Sequence, residues 1–387
     1  MKRKRLFVSI DFPPSRGGIQ NYIYGIVSNL DSNSTDVLTT YKGDSTEIIE
    51  FDNKQGFDIK RVELSTQSNI INKVFSLIKM YFQILTILRK KSIEEIHFGN
   101  ALPVGLLSLL LRNKKVKIFT YIYGLDLLES KKSKIKLSLL KSVLQKSDRV
   151  ITISEFTKRE IIKININEKK IKIISPGFRI PSTTDDDVDV REKYGIAKTD
   201  KIILTVARLH ERKGHDIVLK AIKTINNHNL KYLICGTGPY EKTLKSLVES
   251  LNLNNKVIFT GEVEDSELVK LYKEADIFVM ASRQLDDQGD VEGYGIVFLE
   301  ANYYGLPVIG GNSGGIPDAI LHNKTGILVD PNSVEDVSEK LNFLLKDEIR
   351  SNEMGRNGQD WVKKHSMWKN RLVDFSVVSE ELYETKN

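Results

Sequence analysis

The stretch Glu292-Gly-Tyr-Gly-Ile-Val-Phe-Leu-Glu300 sets two carboxylates eight positions apart, with a Gly-Tyr-Gly turn directly after the first. Its apolar run, residues 296–299, is typical of the start of a buried helix. Gly295 can form a tight turn that leaves backbone N–H groups free ahead of that helix, and such a terminus attracts phosphate or hydroxyl oxygens. With Glu300 about two turns into the helix, the two carboxylates could bind different parts of one elongated ligand. The alternative is a capped core helix with two solvated acids.

Short β-branched runs alternate with longer helical patterns on both sides of this stretch. Most of the runs are apolar throughout, as strands are when helices cover both faces of a parallel sheet. The alternation therefore predicts an α/β fold built from doubly wound sheets. The candidate strands are residues 6–10, 95–98, 116–122, 149–153, 171–174, 201–206, 231–235, 256–259, 276–280 and 307–309.

The chain, at 387 residues, is long enough for two domains. Segment 179–189 is polar, acidic and turn-rich, as linkers are, and its Asp185-Asp-Asp187 run is interpreted as solvated. The strand–helix rhythm restarts at Lys201. We therefore predict one Rossmann-like domain over residues 1–182 and a second over residues 183–367. Ligands bind outside the carboxyl ends of the strands in such sheets, so a cleft between the domains is expected.

The composition, with 40% apolar and 28% charged residues, is that of a soluble globular protein. The single cysteine, Cys235, excludes an internal disulfide and is interpreted as a buried strand thiol. No apolar run is long enough for a transmembrane helix, and the apolar segment after the first five residues is too short for a signal peptide. These features predict a cytoplasmic protein.

Charge is divided unevenly along the chain. Residues 1–190 hold 32 Lys and Arg against 21 Asp and Glu, whereas residues 191–387 hold 26 against 30, so the halves carry +11 and −4. A basic half suggests an anionic partner, either nucleic acid or anionic lipid. Segments 72–91 and 134–144 combine lysines with long apolar side chains, which suits a membrane surface better than a DNA groove. The alternative is two core-packing helices with solvated lysines.

Glycine turns follow several predicted strands, at positions where a phosphate or sugar could approach the backbone closely. Gly17-Gly18 precedes a helix that begins near Ile19, and Gly236 and Gly238 follow the strand that ends at Cys235. Two further turns lie at residues 260–265 and 312–318. Each turn alone is weak evidence, but turns at successive strand ends of one domain share one ligand face.

Two cations, Arg208 and Lys213, follow a strand end in the second half of the chain. They could hold a diphosphate, since a guanidinium chelates oxygens while an ammonium acts as a point charge. The alternative is two ordinary surface cations in a loop. The six histidines are scattered, and neither a metal-binding pattern nor a Gly-x-Ser-x-Gly nor a Gly-Lys-Ser/Thr motif occurs.

Together these segments resemble the glycosyltransferase family 4 pattern, which implies the GT-B fold: two Rossmann-like doubly wound domains facing across a cleft. The resemblance spans nearly the whole chain, and its specific part is the pair of glutamates together with Arg208 and Lys213. It also implies that a terminal helix at about 368–387 packs back on the first domain. The matching segments, in chain order, are Gly17-Gly18, Arg208 with Lys213, Gly236-Thr-Gly-Pro239, Glu292 to Glu300, Gly314-Gly-Ile-Pro317 and Asn323-Lys-Thr-Gly-Ile-Leu-Val329.

The resemblance implies a role for each matching residue. Arg208 and Lys213 would bind the diphosphate of a nucleotide sugar, Glu300 the ribose hydroxyls and Glu292 the sugar hydroxyls. The backbone around Val263 would meet the base, and Gly18 would let the first domain close on the donor. The donor-binding residues implied in this way are Gly17, Gly18, Gly236, Gly238, Val263, Gly293, Tyr294, Gly295 and Glu300.

One stretch departs from the family pattern. The family often carries His-Gly-x-Asp/Glu after a strand of the first domain, whereas this chain has Tyr123-Gly-Leu-Asp126. Tyrosine can donate a hydrogen bond to a sugar or phosphate oxygen but cannot carry positive charge. Tyr123 and Asp126 therefore join Glu292, Arg208 and Lys213 as the predicted catalytic residues.

The resemblance thus implies a retaining, metal-independent glycosyltransferase (EC 2.4 class) that needs no cofactor. Its donor would be a UDP- or GDP-sugar and its acceptor a lipid-linked or growing polysaccharide in cell-surface glycan synthesis. No nucleic-acid partner is expected, and peripheral contact with the inner face of the cell membrane is. The alternatives are a nucleotide-sugar epimerase on the same fold and a non-catalytic binder of nucleotides or nucleic acid.

Overall fold

The computed structural model describes residues 3–15, 17–63, 70–111, 115–181, 189–285 and 290–384. The chain divides into two compact units. The first comprises Met1–Gly177 with Trp368–Asn387, and the second comprises Phe178–Met367. The predicted domain boundary between residues 182 and 183, like the Asp185–Asp187 run, lies outside the described residues.

The first unit is built on a seven-stranded parallel sheet with the order β3-β2-β1-β4-β5-β6-β7. Its strands are β1 (Arg5–Val8), β2 (Thr35–Tyr41), β3 (Asp58–Glu63), β4 (Glu95–Phe98), β5 (Lys117–Ile122), β6 (Arg149–Thr152) and β7 (Ile171–Ile173). Its helices are α1 (Gly18–Val27), α2 (Ser45–Asn53), α3 (Ile70–Lys90), α4 (Leu125–Lys131), α5 (Lys134–Lys146), α6 (Glu155–Ile162) and, from the C-terminus, α14 (Trp368–Glu384).

The second unit is built on a six-stranded parallel sheet with the order β10-β9-β8-β11-β12-β13. Its strands are β8 (Lys201–Val206), β9 (Leu230–Cys235), β10 (Val257–Gly261), β11 (Ile277–Met280), β12 (Val308–Gly311) and β13 (Gly326–Val329). Its helices are α7 (Val190–Lys193), α8 (His215–Thr224), α9 (Glu241–Ser250), α10 (Asp265–Glu274), α11 (Ile296–Tyr303), α12 (Val334–Lys346) and α13 (Glu348–Trp361).

Both sheets reverse their strand order once. The first sheet grows from β1 through β2 to β3 and then returns to place β4 on the other side of β1. The second grows from β8 through β9 to β10 and then returns to place β11 beside β8. The predicted α/β fold with two doubly wound parallel sheets is confirmed. Each reversal opens a crevice at the carboxyl ends of two neighbouring strands, where ligands of this architecture bind.

Two strands of the first sheet, β2 and β3, were absent from the sequence-based prediction. The prediction relied on runs that are apolar throughout, but β2 mixes Asp36 and three threonines with its apolar residues. The sheet ends at β3, where only Val62 is buried and the other side chains are polar or partly exposed. An edge strand has fewer neighbours to bury it, so its sequence carries little of the apolar signal.

The C-terminal helix α14 belongs to the first unit, and Trp368 at its start is the contact that fixes it. The Trp368 indole packs edge-on against Tyr22 of α1, with ring centroids 5.5 Å apart. A Cβ added to Gly25 would lie only 1.9 Å from this indole, and one added to Gly177 only 2.7 Å from it. Further along α14, the Ser379 hydroxyl donates a hydrogen bond to the fully buried Glu95 carboxylate. The close packing of the Trp368 indole therefore requires glycine at Gly25 and Gly177.

Within the described residues, none of the helices has both the length and the apolar character needed to cross a membrane.

The packing of Trp368 against helix α1 predicts opposite effects on stability when each of two glycines of this helix is replaced by alanine. Alanine raises helix propensity by up to about 1 kcal/mol at either position. Gly25→Ala should nevertheless lower the free energy of unfolding by about 1–3 kcal/mol, because the new methyl group overpacks the indole. Gly18→Ala is the matched control, since a Cβ there meets nothing within 4 Å. Urea unfolding monitored by tryptophan fluorescence measures both, and equal stabilities for the two variants would contradict this packing.

Candidate active site

The candidate site lies where the strand order of the second sheet reverses, at the carboxyl ends of β8 and β11. The loop after β8 and the loop after β11 meet there, because the Arg283 N–H donates a 2.8 Å hydrogen bond to the Arg212 carbonyl. Gly214 has φ 74°, and a Cβ on it would lie 2.0 Å from the Ala281 carbonyl oxygen. Only glycine combines this left-handed backbone with so close an approach. The two loops are thus in direct backbone contact.

The Glu292 carboxylate sits between two cations of the β8 loop. Its Oε2 atom accepts from Lys213 Nζ at 2.5 Å and from Arg212 Nη1 at 2.8 Å. Arg212 is held in turn by Asp290, with Nε 2.8 Å from Oδ1. The side chains of Glu292, Lys213 and Arg212, named here the Glu292 cluster, are each less than one-fifth exposed. Among the described residues, none donates a hydrogen bond to Glu292 Oε1, so this oxygen can accept one from a ligand.

The ion pairs decide the protonation state of this cluster. Burial opposes ionisation of Glu292, but Lys213 and Arg212 outweigh it and bring the pKa of Glu292 down to about 2. Burial lowers the pKa of Lys213 despite the nearby carboxylate. At neutral pH Glu292 is therefore a carboxylate held between two cations.

The backbone of Glu292 is held by the predicted glycine turn after β12. The Gly315 N–H donates a 2.9 Å hydrogen bond to the Glu292 carbonyl. Gly314 has φ 58°, and a Cβ there would lie 2.4 Å from the same carbonyl oxygen. The turn around residues 312–318, interpreted from sequence only as one of several glycine turns, therefore sets the position of the first glutamate.

A second glycine turn, after β9, packs against the loop that carries Arg208. The Leu209 N–H donates to the Thr237 carbonyl at 2.9 Å. Added Cβ atoms would lie 2.2 Å from the Ala207 carbonyl oxygen at Gly236 and 2.5 Å from the Leu209 carbonyl oxygen at Gly238. Arg208 itself is exposed, and within the described part of the chain no side-chain partner is recorded for it. Its guanidinium is available to an anionic ligand.

The second glutamate, Glu300, is the fifth residue of α11, which begins at Ile296. The prediction of two turns was too long, because Gly293, Tyr294 and Gly295 form the turn before the helix and Gly295 caps it with φ 86°. The Tyr272 hydroxyl donates a 2.8 Å hydrogen bond to Glu300 Oε2. Burial raises the pKa of Glu300, and this hydrogen bond partly offsets the effect. Glu292 and Glu300 therefore have different surroundings, one cationic and one phenolic.

Four helices begin at this edge of the sheet with no side-chain hydrogen bond from the capping residue. These are α8, capped by Gly214, α9, capped by Tyr240, α10, capped by Glu264, and α11, capped by Gly295. By contrast, Ser333 caps α12 and Asp347 caps α13 through their side chains. The open N-termini add partial positive charge to that of the cations. Val263, the predicted base contact, lies half-buried just before α10 at the same edge.

Several residues of the site were missed from the sequence. Arg283 forms a buried two-pronged ion pair with Asp216 at 2.9 and 3.1 Å, which ties the β11 loop to the start of α8. Tyr272 supports Glu300 from another helix. The spacing Asp290-x-Glu292 beside the adjacent Arg212-Lys213 pair was a usable signal, because alternate residues of an extended segment share a side. No sequence pattern marks Tyr272 or Arg283.

The predicted residues of the first unit lie near its own strand reversal: Gly17 and Gly18 follow β1, whereas Tyr123 and Asp126 follow β5, the strand next to β4. Gly17 and Gly18 form the start of α1, and Gly17 provides no side-chain cap. The Tyr123 hydroxyl is buried and donates a 2.7 Å hydrogen bond to the Gly99 carbonyl. Asp126 Oδ1 accepts from three backbone N–H groups, those of Tyr123, Gly124 and Leu127, each at 3.0 Å.

These contacts give Tyr123 and Asp126 an internal role. Burial raises the pKa of Asp126 to about 6, against the lowering effect of the backbone N–H groups. The two side chains shape the turn around Gly124. That they also act on a donor stays a prediction.

Comparisons with known proteins agree over the whole chain. Residues 16–180 match the family model described as Glycosyltransferase Family 4, and residues 186–361 match the model described as Glycosyl transferases group 1. A GDP-mannose-dependent alpha-(1-6)-phosphatidylinositol monomannoside mannosyltransferase from Mycobacterium tuberculosis is 30% identical over 96% of this chain and 97% of its own length. A GDP-mannose-dependent monoacylated alpha-(1-6)-phosphatidylinositol monomannoside mannosyltransferase from Corynebacterium glutamicum is also 30% identical, over 95% of each chain.

Solved structures resemble the fold. Sucrose-phosphate synthase from Thermosynechococcus elongatus superposes with a TM-score of 0.78 at 20% identity, over 99% of this chain and 100% of the other. HepE from Anabaena, in complex with UDP and glucose, gives a TM-score of 0.78 at 18% identity, over 97% and 100%. The two-sheet architecture is that of GT-B proteins.

The ionised state of Glu292 predicts a specific acid sensitivity. A carboxyl group with a depressed folded-state pKa stabilises the protein above its unfolded pKa, and this stability is lost as pH falls through the folded pKa. For Glu292 the window runs from 4.5 down to about 2. The difference in unfolding free energy between the protein and Glu292→Gln should shrink by up to about 3 kcal/mol across that window.

Urea unfolding at a series of pH values measures this difference. Glu249→Gln on the exposed face of α9 is the control and should show no such trend. A difference between protein and Glu292→Gln that does not change with pH would contradict the ion-paired state.

Proposed function

Because this chain belongs to glycosyltransferase family 4, with a group 1 glycosyltransferase segment in its second half, we propose that it transfers a sugar from a nucleotide-sugar donor to a lipid-linked or growing polysaccharide acceptor, with retention at the anomeric carbon. The chain is a glycosyltransferase. The observation that carries this proposal is the Glu292 cluster at the strand reversal, with the exposed Arg208 and open helix N-termini beside it.

The donor diphosphate binds, in this proposal, between Lys213 and Arg208. Lys213 is held within the cluster by Glu292, whereas Arg208 is exposed on the loop beside the Gly236 turn. The N-terminal N–H groups of α8 and α11 direct further positive potential to the same edge. Negative charge develops on the diphosphate as it leaves, and cations that donor binding has already placed beside it stabilise that charge.

Arg212 is the residue that keeps Glu292 in place when Lys213 turns to a phosphate oxygen. Glu292 would otherwise be a buried carboxylate without a cation, which is costly. Arg212 keeps one hydrogen bond to Glu292 and is anchored on its other side by Asp290. Glu292 Oε1 then accepts from a sugar hydroxyl, helped by the backbone N–H groups of Tyr294 and Gly295. Arg212 is thus a positioning residue.

The nucleoside is bound, in this proposal, beside α11 and α10. Glu300 accepts hydrogen bonds from the ribose hydroxyls, and Tyr272 orients its carboxylate through Oε2. The backbone near Val263, directly before α10, meets the base. Gly17 and Gly18 are proposed as further donor-binding residues, because a backbone without side chains lets a ligand approach closely. Tyr123 and Asp126 act by shaping the Gly124 turn.

The chemical step needs no covalent nucleophile. The acceptor hydroxyl oxygen forms a bond to the anomeric carbon on the face from which the diphosphate leaves. The carbon–oxygen bond to the diphosphate breaks and its electron pair stays on the phosphate oxygen, which takes the proton of the acceptor hydroxyl. Attack on that face keeps the anomeric configuration.

The activities of the two mannosyltransferases named above suggest which substrates to test first. Both mannosyltransferases named above use GDP-mannose and act on phosphatidylinositol mannosides. We therefore propose GDP-mannose as the first donor to test and a membrane-lipid glycoside as the first acceptor class, with UDP-sugars as the comparison.

A thermal-shift screen against nucleoside diphosphates and nucleotide sugars tests the donor site, because a ligand of the folded state raises the melting temperature. Lys213→Ala and Glu300→Ala should weaken binding of the selected nucleotide by roughly 10- to 100-fold, since each removes a charged partner. They should lower transfer by roughly 100- to 1,000-fold. Lys220→Ala and Glu249→Ala, exposed in α8 and α9, are the matched controls.

Three results would overturn the proposal. The proposed donor site would be wrong if Lys213→Ala and Glu300→Ala bound the donor as tightly as the controls do. The proposed retaining mechanism would be wrong if an NMR assay showed an inverted product anomer. Rapid epimer formation from donor alone would replace transfer by epimerisation.

A further inference from the structure

Helix α3 exposes large apolar side chains along one face, although its opposite face packs into the core through Met80 and Ile84. Phe75 is 60% exposed and Phe82 61%, and Val74 and Ile78 are also exposed. These positions fall on neighbouring turns of one helix. The predicted alternative of a fully core-packed helix accounts for one face only.

Two neighbouring elements also expose apolar side chains. The Tyr81 hydroxyl of α3 donates a 3.2 Å hydrogen bond to the Leu110 carbonyl, so the short 3-10 helix Val104–Leu110 lies beside α3. Gly105 of that short helix packs on α5, because a Cβ there would meet Val143 at 3.0 Å. The three elements are therefore side by side. Their exposed apolar residues, named here the α3–α5 surface, are Val74, Phe75, Ile78, Phe82, Leu109, Leu110, Ile135 and Leu139.

The charge on these elements has one sign. Helices α3 and α5 each contain four Lys or Arg, and neither they nor the 3-10 helix contain an Asp or Glu. Among the cations, Lys79, Lys134 and Lys136 are exposed beside the apolar side chains. An acid-free basic rim around exposed Phe and Ile complements a surface that is anionic outside and apolar beneath.

We propose that the α3–α5 surface docks the first unit on an anionic lipid bilayer, with Phe75, Phe82 and Ile135 entering the headgroup region. None of these helices spans the membrane within the described residues, so the contact is peripheral. Exposed apolar patches of this kind mark membrane or protein contacts, and the exposed lysines on these acid-free helices favour the anionic bilayer. The purpose of docking, delivery to a membrane-bound acceptor, rests on the proposed function, but the binding itself does not.

Co-sedimentation with vesicles tests the docking. The full chain should bind phosphatidylcholine vesicles that contain phosphatidylglycerol and bind pure phosphatidylcholine vesicles much more weakly, with affinity falling as salt rises. Lys134→Gln with Lys136→Gln should weaken binding about fivefold per lysine. Phe75→Ser with Phe82→Ser should weaken it roughly tenfold or more, as expected when inserted apolar area is lost.

Matched controls lie on the second unit. Phe343→Ser with Ile349→Ser removes two exposed apolar side chains, and Lys198→Gln with Lys220→Gln removes two exposed lysines. Both control pairs should bind vesicles like the unaltered protein. Losses equal to those of the α3–α5 variants would overturn the proposal, as would equal binding to both vesicle types.

Two further measurements separate the remaining outcomes. Light scattering that shows a dimer, converted to monomer by Phe75→Ser with Phe82→Ser, would assign the surface to a second copy of the chain and overturn bilayer docking. Nucleotide binding by the same variants, followed by thermal shift, reports on the donor site alone. Vesicle binding with no nucleotide binding would sink the proposed function and leave the docking in place.

Discussion

The ion pairs that join the buried Glu292 carboxylate to Lys213 and Arg212 are the interaction on which the proposed donor site depends. A carboxylate this far from water is stable only with cations beside it, and two of them share one oxygen. Both cations come from the loop after β8, and Glu292 follows β11. The strand order of the sheet reverses between these two strands. The pair therefore joins the two sides of the crevice in which α/β sheets bind ligands.

The glycines around the cluster are the steric condition for this pairing. Gly214 lets the β8 loop pass against Ala281, and Gly314 lets the β12 turn approach the Glu292 carbonyl. A side chain at either position would force apart the backbones that bring the charges together. Such contacts leave few conformations to the charged side chains. Preorganisation of this kind makes fixed charges effective toward a leaving group.

The sequence specified the buried parts of the fold better than its edges. Parallel strands covered on both faces, such as β8 and β9, are mainly apolar and were predicted almost to the residue. Strand β3 was missed because the edge of a sheet does not require an apolar sequence. The glycine turns were visible as turns. The backbone segment that each turn approaches could not be predicted, because it depends on the order of the strands in the sheet. Local sequence patterns do not determine that order.

The site was predictable to the same extent. Glu292, Glu300 and Lys213 were predicted as site residues by spacing and by resemblance, but the partners that hold their side chains come from distant positions in the chain. Tyr272 lies 28 residues before Glu300, and Arg212 lies 80 residues before Glu292. Long-range pairs of this kind arise from sheet topology and leave no periodic signal. Tyr123 and Asp126 were predicted to act on the donor, and the structure shows that their polar atoms form hydrogen bonds with the backbone of their own unit.

A crystal structure of the protein with a bound nucleoside diphosphate would test whether Lys213 and Arg208 hold the diphosphate. We predict that Lys213 leaves Glu292 for a phosphate oxygen, that Arg208 binds the same diphosphate, and that Arg212 stays on Glu292 with Asp290 behind it. A diphosphate bound away from Lys213 and Arg208, or an Arg212 that abandons Glu292, would contradict it.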